Sequence, residues 1–427
     1  MVLIDDLTNH LYKNTEYPSF LWRSGSYSVL LSIHAICRAA LYGLNKTEVH
    51  GLPRFLDLLK ARADYKTRTR GLLTVSNHIS VIDDPVIWGV LPLSFAAFYG
   101  YQSHRWSFAS HDLCFTNTPL SHFFSLGQCF PTHRIKHSKH GGLFQPTFTE
   151  AIRMLSRTDN PKADSAIVKR SGHLSWPRNA IDPLSSLQPP PAFPSQPYDV
   201  RAYNAPSRYA VNSYSWVHIF PEGFIHQTDP SERNVRYFKW GVSRLILEPV
   251  ECPDIVPMFI EGTDRIMHES RTFPRFIPRM FNKVVVSFGD EVDVEDVFGD
   301  LRKRWRELCD KENEKLLQEL KHEPRPSAQS YYNIRGRDLH VEEHRQRLLD
   351  QLYKQQLGVV SEKLKCDPEV VEMRKECTKR VRDLVLNVRR GRGYPDEDPK
   401  SGIAETWKLE GPKREGQMED DSWVKET

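Results

Sequence analysis

Short apolar runs separated by helical patterns extend over residues 45–158 and resume after residue 214. Residues 71–76 (GLLTVS) form a brief apolar run between turn-forming residues, which predicts a buried strand. Three later runs repeat this pattern: WVHIF at 216–220, IVPMFI at 255–260 and KVVVSF at 283–288. Between them, residues 235–248 have a helical pattern. Strands that alternate with helices predict an α/β domain whose central, mostly parallel or mixed sheet is flanked by helices.

Two changes of composition divide the chain. Residues 159–213 contain nine prolines and many serines, which predicts a disordered insertion within a domain at 46–310. Beyond this domain, residues 311–390 are rich in charge and have a helical pattern, so we expect a charged helical extension. Residues 391–427 are polar and are predicted to be a disordered tail.

Two stretches are unusually apolar, at residues 27–44 and 85–103. A membrane span needs about 20 mostly apolar residues, and a charge at mid-depth is costly. The first stretch contains His34 and Arg38, while prolines and glycines interrupt the second. We therefore predict that residues 1–45 hold a helix lying in the membrane interface. Core helices are the alternative for both stretches, because hydropathy alone does not separate the two cases.

Composition and charge exclude several other classes of protein. A formal net charge of +4, without an arginine-rich stripe, does not favour nucleic-acid binding. Seven cysteines without a C-x-x-C pair do not predict a disulfide framework or a zinc site. His133, His137 and His140 lack a nearby carboxylate or cysteine, so no metal site is expected. Asp5 and Asp6 argue against a secretory signal and a typical matrix presequence.

The stretch from residue 77 to residue 85 (NHISVIDDP) carries the strongest chemical signal. His78 lies just past a predicted strand, where α/β sheets place their ligand sites. Asp84 before Pro85 predicts a helix N-cap, so that His78 to Asp83 form a turn. On a helix the two side chains would point about 140° apart, but in a turn they can meet. A carboxylate on one imidazole nitrogen would leave the other free to take a proton from a substrate hydroxyl.

Two further stretches carry candidate binding residues. Phe220 to Gly223 (FPEG) follow a predicted strand, and Glu222 could accept hydrogen bonds from a substrate headgroup or orient a basic residue. Gly223 permits a positive φ angle or close approach of the backbone. Arg134 ends a short predicted strand, where it could hold a lipid phosphate through paired, charge-assisted hydrogen bonds. An ordinary turn and a surface arginine are the alternatives.

The sequence resembles the glycerolipid acyltransferase superfamily in four features and in their order. These are an NHxSxxDDP stretch, a basic strand end, FPEG and a late Val-Pro strand. Further short segments resemble those of the phospholipid–lysophospholipid transacylases within this superfamily. These segments are CFT at 114–116, SHFFSLG at 121–127, WVHIFPEG at 216–223, FKWG at 238–241, RLI at 244–246 and, more weakly, VEMRK at 371–375. The resemblance covers about residues 20–310 and 367–388. Residues 159–213 and 311–366 have no counterpart in the shorter members of the superfamily.

The resemblance implies transfer of acyl chains from phospholipids such as phosphatidylcholine to lysophospholipids, remodelling cardiolipin via monolysocardiolipin without a metal or coenzyme A. It also implies peripheral or monotopic attachment to the inner or outer mitochondrial membrane, facing the intermembrane space, and participation in larger membrane complexes. His78 and Asp83 would be catalytic. The expected substrate-binding residues are Asn77, Ser80, Arg134, Glu222 and Gly223. Alternatives are an acyl-CoA-dependent lysophospholipid acyltransferase and an inactive peripheral membrane scaffold.

Overall fold

The computed structural model of the protein describes residues 20–134, 141–157, 214–228, 230–274, 276–322, 357–358 and 360–406. Its strands are β1 (Lys46–His50), β2 (Leu72–Ser76), β3 (Arg105–Ser110), β4 (Cys129–Thr132), β5 (Trp216–Ile219), β6 (Asp254–Glu261) and β7 (Lys283–Phe288). Its α-helices are α1 (Phe20–Leu44), α2 (Leu52–Ala61), α3 (Asp83–Trp88), α4 (Leu93–Phe98), α5 (His111–Cys114), α6 (Thr118–Leu126), α7 (Pro146–Met154), α8 (Gly241–Leu247), α9 (Thr263–Ile266), α10 (Val294–His322), α11 (Glu362–Cys366) and α12 (Pro368–Gly391).

All seven described strands join one sheet in the order β1-β7-β6-β2-β5-β3-β4. Five of them, from β6 to β4, run parallel, and β7 with β1 runs in the opposite direction. The carboxyl ends of the five parallel strands therefore share one edge, with β2 between β5 and β6. The predicted α/β fold class, a central mixed sheet flanked by helices, is confirmed.

Each face of the sheet carries its own apolar core. Every residue of β2 is buried, as expected of a central strand covered on both faces. Leu73 and Val75 face one cluster, which α7, α8, α10 and α12 cover, whereas Leu72 faces a second cluster under α1 to α4. Because the side chains of a strand alternate in direction, one apolar run supplies both cores.

Two predicted helix boundaries are wrong, each for a physical reason. The helix expected at 235–248 is limited to α8, because upstream backbone N–H groups are bonded elsewhere. That of Arg236, for example, donates to the side chain of Glu222. Helix α3 begins at Asp83 rather than after an Asp84 cap, because the N–H of Val86 donates to the carbonyl of Ile82 at 3.1 Å, which makes Ile82 the N-cap residue.

Helix α12, near the end of the predicted charged extension, packs into the first core. Its buried apolar residues recur every three or four positions, namely Val370, Met373, Cys377, Val381 and Val385. The predicted disordered tail differs from the structure at residues 392–406, because Tyr394 donates to Glu261 and Glu397 accepts from the backbone of Val235. The predicted insertion at 159–213 and residues 323–356 lie outside the described parts of the chain. The division at residue 310 stays a prediction.

Helix α1 has one face on the protein and one face away from it. Its buried residues, which form a single stripe, are Ser26, Leu30, His34, Cys37 and Leu41. They face α3, α4 and α6, and the Arg38 guanidinium donates to the carbonyls of Gly89, Val90 and Leu91. Phe20 and Ile36 are exposed on the other side. Among the described helices, α1 alone is long and apolar enough to cross a membrane, a test that buried core helices also pass.

Candidate active site

The predicted His78–Asp83 pair forms in the turn between β2 and α3. His78 Nδ1 lies 2.9 Å from Asp83 Oδ2, which also accepts the backbone N–H groups of Ile79 at 2.7 Å and Ser80 at 2.8 Å. The second carboxylate oxygen accepts the hydroxyl of Thr263. Asp83 is fully buried, and these donors fix the orientation of the carboxylate and, through it, of the imidazole.

The His78 ring is positioned so that one nitrogen remains available. Its face stacks on Phe220 with ring centroids 4.3 Å apart, and 21% of the side chain is exposed. With Nδ1 bonded to Asp83, Nε2 has no hydrogen-bond partner among the described residues. A proton on Nδ1 leaves a lone pair on Nε2, which suits a general base.

The backbone of His78 is held separately, by Glu222. Glu222 Oε1 accepts the N–H of His78 at 2.7 Å, and Oε2 accepts the N–H of Arg236 at 3.1 Å. The carbonyl of His78 accepts the N–H of His226 at 2.7 Å. Burial raises the pKa of the Glu222 carboxyl to about 8, although these backbone hydrogen bonds oppose the shift. Glu222 thus ties the turn from His78 to Asp83 to the FPEG segment.

Sheet topology explains why these groups meet. Glu222 follows β5 and Thr263 follows β6, and these strands are the two neighbours of β2, which leads to His78. Ligand sites of open α/β sheets form at such carboxyl edges. Sequence reasoning missed Thr263, although its place just after the strand that carries Val256 and Pro257 was a usable signal.

Two other predicted substrate-binding residues lie beside the pair. The Asn77 side chain is occupied, since its amide donates to the carbonyl of Ile260 at 3.0 Å and accepts from its N–H at 2.8 Å. The Ser80 hydroxyl is buried and has no hydrogen-bond partner among the described residues. An unsatisfied buried hydroxyl costs roughly 1–3 kcal/mol, so Ser80 is the better candidate for contact with a ligand.

Arg134 and Gly223 occupy different surroundings. Arg134 pairs with Asp112 through two hydrogen bonds, one of them 3.0 Å between Nε and Oδ1, and this pairing lowers the pKa of Asp112 to about 2. Because β4 lies three strands from β2, Arg134 follows a strand about 14 Å from the one before His78. Gly223 has φ 75°, and a Cβ there would lie 3.0 Å from the Lys239 side chain.

A partly buried polar network that sequence reasoning missed supports α3. Asp84 accepts hydrogen bonds from Arg105 at 2.6 Å, Ser107 at 2.6 Å and the Trp88 indole at 3.1 Å. Burial would raise the pKa of Asp84, but Arg105 and the hydrogen bonds hold it below its ordinary value. The two adjacent aspartates therefore have different roles, since Asp83 orients His78 and Asp84 fixes α3 to β3.

A second histidine near the site has no exposed nitrogen. His218 on β5 is fully buried, and its Nδ1 lies 2.9 Å from the Thr74 hydroxyl. Burial lowers its pKa to about 3, so the ring stays neutral. Access to a substrate hydroxyl favours His78 over His218 as the base.

No protein-family model matches the chain, but individual relatives do. Tafazzin of Saccharomyces cerevisiae is 34% identical over 304 residues, which are 69% of this chain and 70% of the relative. Tafazzin of Drosophila melanogaster is 27% identical over 69% of this chain and 58% of its own length. The N-acylphosphatidylethanolamine synthase of Arabidopsis thaliana is 27% identical over 62% of this chain and 71% of its own. Because the yeast tafazzin is 34% identical over more than two thirds of both chains, this protein belongs to the tafazzin family and is a phospholipid acyltransferase.

Proposed function

We propose that this acyltransferase moves fatty acyl chains from intact phospholipids to lysophospholipids, with His78 as general base and Asp83 as its partner. The observation that carries the chemistry is the 2.9 Å contact from His78 Nδ1 to Asp83, with Nε2 left open. This geometry serves a phospholipid donor and an acyl-CoA donor equally. The similarity to tafazzins, which extends well beyond the catalytic turn, supports the phospholipid donor.

In the proposed reaction, His78 Nε2 accepts the proton of the lysophospholipid hydroxyl, and the oxygen of that hydroxyl attacks the ester carbonyl of the donor phospholipid. Asp83 stabilises the imidazolium that forms. When the tetrahedral intermediate collapses, the bond to the donor's glycerol oxygen breaks, and His78 returns the proton to that oxygen. One ester replaces another, so the equilibrium constant should be near one and no external energy source is required.

The proposed substrates are monolysocardiolipin as acceptor and phosphatidylcholine as donor, which would remodel cardiolipin. Ser80 and Gly223 are the proposed contacts near the reacting groups. Arg134 is the proposed phosphate ligand, and a phosphate there would replace Asp112 as the partner of its guanidinium. The strands that lead to His78 and Arg134 are about 14 Å apart. A lipid with a second anionic group could therefore place one group near each strand end.

The proposed location is a mitochondrial membrane, facing the intermembrane space, with peripheral or monotopic attachment through α1. The exposed face of α1, with Phe20 and Ile36, supports contact with lipid, while its opposite face packs on the domain. Carbonate extraction and protease protection test this arrangement. Protected segments on both sides of one bilayer would mean that α1 spans the membrane.

The reaction is tested with purified enzyme freed of coenzyme A, using phosphatidylcholine with a labelled acyl chain and monolysocardiolipin. We expect label in cardiolipin, and transfer from labelled cardiolipin to lysophosphatidylcholine in the reverse direction. Transfer that begins only when acyl-CoA is added would reject the phospholipid donor in favour of an acyl-CoA-dependent acyltransferase. Full retention of a cellular effect by His78→Ala would favour a scaffold.

A second candidate product follows from the Arabidopsis relative, whose name describes an N-acylphosphatidylethanolamine synthase. The same His78 could deprotonate an amine that attacks the acyl carbonyl. Adding phosphatidylethanolamine to the assay separates the two products, because an amide survives mild alkaline methanolysis and an ester does not. An alkali-stable labelled lipid would establish N-acylation.

A further inference from the structure

The segment between α9 and β7 presents large apolar side chains away from the protein. Phe273 is 88% exposed and Phe281 86%, the two highest values for large hydrophobic residues in the described part of the chain. Phe276 is 76% exposed and Ile277 44%. Clustered exposed apolar groups are unusual on a soluble surface and mark contact with a protein or a membrane. We call residues 271–274 and 276–281, which the structure describes, the aromatic loop.

Backbone hydrogen bonds attach the aromatic loop to α1 and to α9. The N–H of Phe281 donates to the carbonyl of Leu44 at 2.8 Å, so the loop ends at the last turn of α1. The N–H of Arg279 donates to the carbonyl of Ile266 at 2.8 Å. Leu44 and Tyr42 are themselves partly exposed. The exposed apolar surface of the loop therefore adjoins that of α1, the proposed membrane helix.

The loop is also connected to the active site. It follows α9, whose first residue, Thr263, donates its hydroxyl to Asp83. Gln227 forms a second link, because its side chain donates to the carbonyl of Ile79 at 2.8 Å and accepts the N–H of Glu269 at 3.0 Å. A surface touching the loop would consequently lie beside the edge of the sheet that carries His78.

Charge identifies the kind of surface that fits. The sequence RTFPRFIPR at 271–279 contains three arginines and no acidic residue. The Arg279 guanidinium donates to the Thr272 carbonyl at 3.1 Å and forms no ion pair with the described residues. Aromatic rings interleaved with arginines suit the boundary between anionic headgroups and acyl chains, where rings insert and cations meet phosphates.

We propose that the aromatic loop is a second membrane-docking element, which inserts Phe273 and Phe276 into the surface of a bilayer containing anionic phospholipid. Together with α1 it would turn the His78 edge of the sheet towards the lipid. An acceptor could then reach His78 without leaving the bilayer completely. The proposal requires a phospholipid substrate, but it is independent of whether the acyl donor is phospholipid or acyl-CoA.

The test compares vesicle binding of the full chain with that of the double variant Phe273→Ser/Phe276→Ser. The vesicles contain phosphatidylcholine alone or with phosphatidylglycerol, an anionic lipid outside the proposed substrate pair. We expect the double variant to bind mixed vesicles about tenfold more weakly or worse, since two large rings lose their apolar contact. Ile403→Ser, which removes a 48% exposed apolar residue from the C-terminal segment, should bind as the parent does.

The charge contribution is tested with Arg279→Gln and the charge-retaining Arg279→Lys. Arg279→Gln should weaken binding to the anionic vesicles by about fivefold, from roughly 1 kcal/mol per basic residue, and have little effect on neutral vesicles. Arg279→Lys should retain most of the binding. Equal losses for the two variants on both kinds of vesicle would show that Arg279 acts only by supporting the loop.

A kinetic comparison separates docking from folding and from catalysis. Turnover of short-chain substrates dissolved as monomers should be unchanged in Phe273→Ser/Phe276→Ser, while turnover on vesicles falls with binding. Unchanged vesicle binding by this variant overturns the proposal and leaves a protein partner as the occupant. Equal loss of turnover on monomers and vesicles also overturns it. Binding is read without turnover, so failure of the proposed reaction would not affect this result.

Discussion

Two carboxyl groups hold His78, one close to it in sequence and the other distant. The first accepts from its ring and the second from its backbone. Asp83, which accepts from the ring, is five residues away in the same turn. Glu222, which accepts from the backbone, is 144 residues away and follows a different strand. Apart from the Thr263 hydroxyl and the stacked Phe220 ring, the contacts that orient the imidazole are therefore local in sequence, whereas the position of the turn on the sheet depends on distant segments.

The distant support continues into the C-terminal segment. Glu397 accepts the N–H of Val235 at 2.9 Å and forms an ion pair with Arg382. Arg382 also donates to the carbonyls of Val235 at 2.7 Å and Arg236 at 3.2 Å. Since the N–H of Arg236 donates to Glu222, these contacts form a continuous series that ends at His78. We call Arg382 and Glu397 the C-terminal brace.

The largest loss of activity is expected from removing the local contact, that between His78 and Asp83. His78→Ala should reduce kcat by about 10²–10⁴-fold, the usual contribution of a general base. Asp83→Asn should also be severely impaired, since loss of the orienting aspartate in a serine-protease triad costs about 10⁴-fold. Transfer between labelled lipids measures both, and circular dichroism monitors the fold. A folded His78→Ala enzyme with more than a tenth of the activity would show that another group is the base.

Breaking the distant half at Glu222 should have the next largest effect. In Glu222→Gln, an amide replaces one of two acceptors, so a buried N–H of His78 or Arg236 loses its partner at a cost of roughly 1–3 kcal/mol. If that cost falls on the transition-state geometry, kcat drops by about 10–100-fold with little change in KM.

The matched control for Glu222→Gln is Glu248→Gln, which removes a buried carboxylate paired with Arg244. It should lower stability without lowering the kcat of the folded enzyme. Equal kcat values for the two variants would mean that Glu222 supports folding only.

The C-terminal brace should have a smaller effect, because it acts on His78 through Arg236 and Glu222. Glu397→Gln is expected to lower kcat by about 3–10-fold, from loss of one hydrogen bond worth roughly 1 kcal/mol. Glu369→Gln, whose exposed carboxylate pairs with Arg304, is the control and should be neutral. A kcat equal to that of the parent would show that the brace does not reach His78.

Stability should also depend on pH through Glu222. Its pKa is raised by burial from 4.5 to about 8, so between these values the folded state retains a proton that the unfolded state has released. The free energy of unfolding should then fall as pH rises from about 5 to 8. Urea unfolding at several pH values measures this slope, which should be smaller in Glu222→Gln. Parallel curves for the two proteins would contradict the shift.

The sequence permits prediction of the local half more completely than of the distant half. The turn from His78 to Asp83 is evident because both residues lie in one short stretch that follows an apolar run. Thr263 could have been suspected only from its place just after a predicted strand, because strand order is what brings it to Asp83. Glu397 gives no such signal, since only the docking of the C-terminal segment brings it near the site. Exposed rings such as Phe273 were missed because hydrophobic periodicity reports burial and not its absence.

A change expected to have almost no effect concerns the predicted insertion, which lies outside the described residues. The chain on either side of it is joined by backbone hydrogen bonds. The N–H of Ser215 donates to the carbonyl of Met154 at 2.7 Å, and that of Tyr214 to Ser156 at 3.4 Å. The Arg157 guanidinium lies 4.9 Å from the Tyr214 ring centroid. The two ends of the described chain are therefore joined by contacts of their own.

We expect that residues 160–210 can be replaced by a short Gly/Ser linker with kcat preserved within about twofold. Each halving of a flexible loop changes the closure free energy by only about 0.6 kcal/mol, and in the stabilising direction. Phe220 to Gly223 keep their position because β5 pairs with both β2 and β3. Extending the deletion through Ser215 should instead destabilise the domain, since it removes the hydrogen bond to Met154. Loss of soluble, folded protein with the shorter deletion would show that the insertion packs against the domain and supports the site.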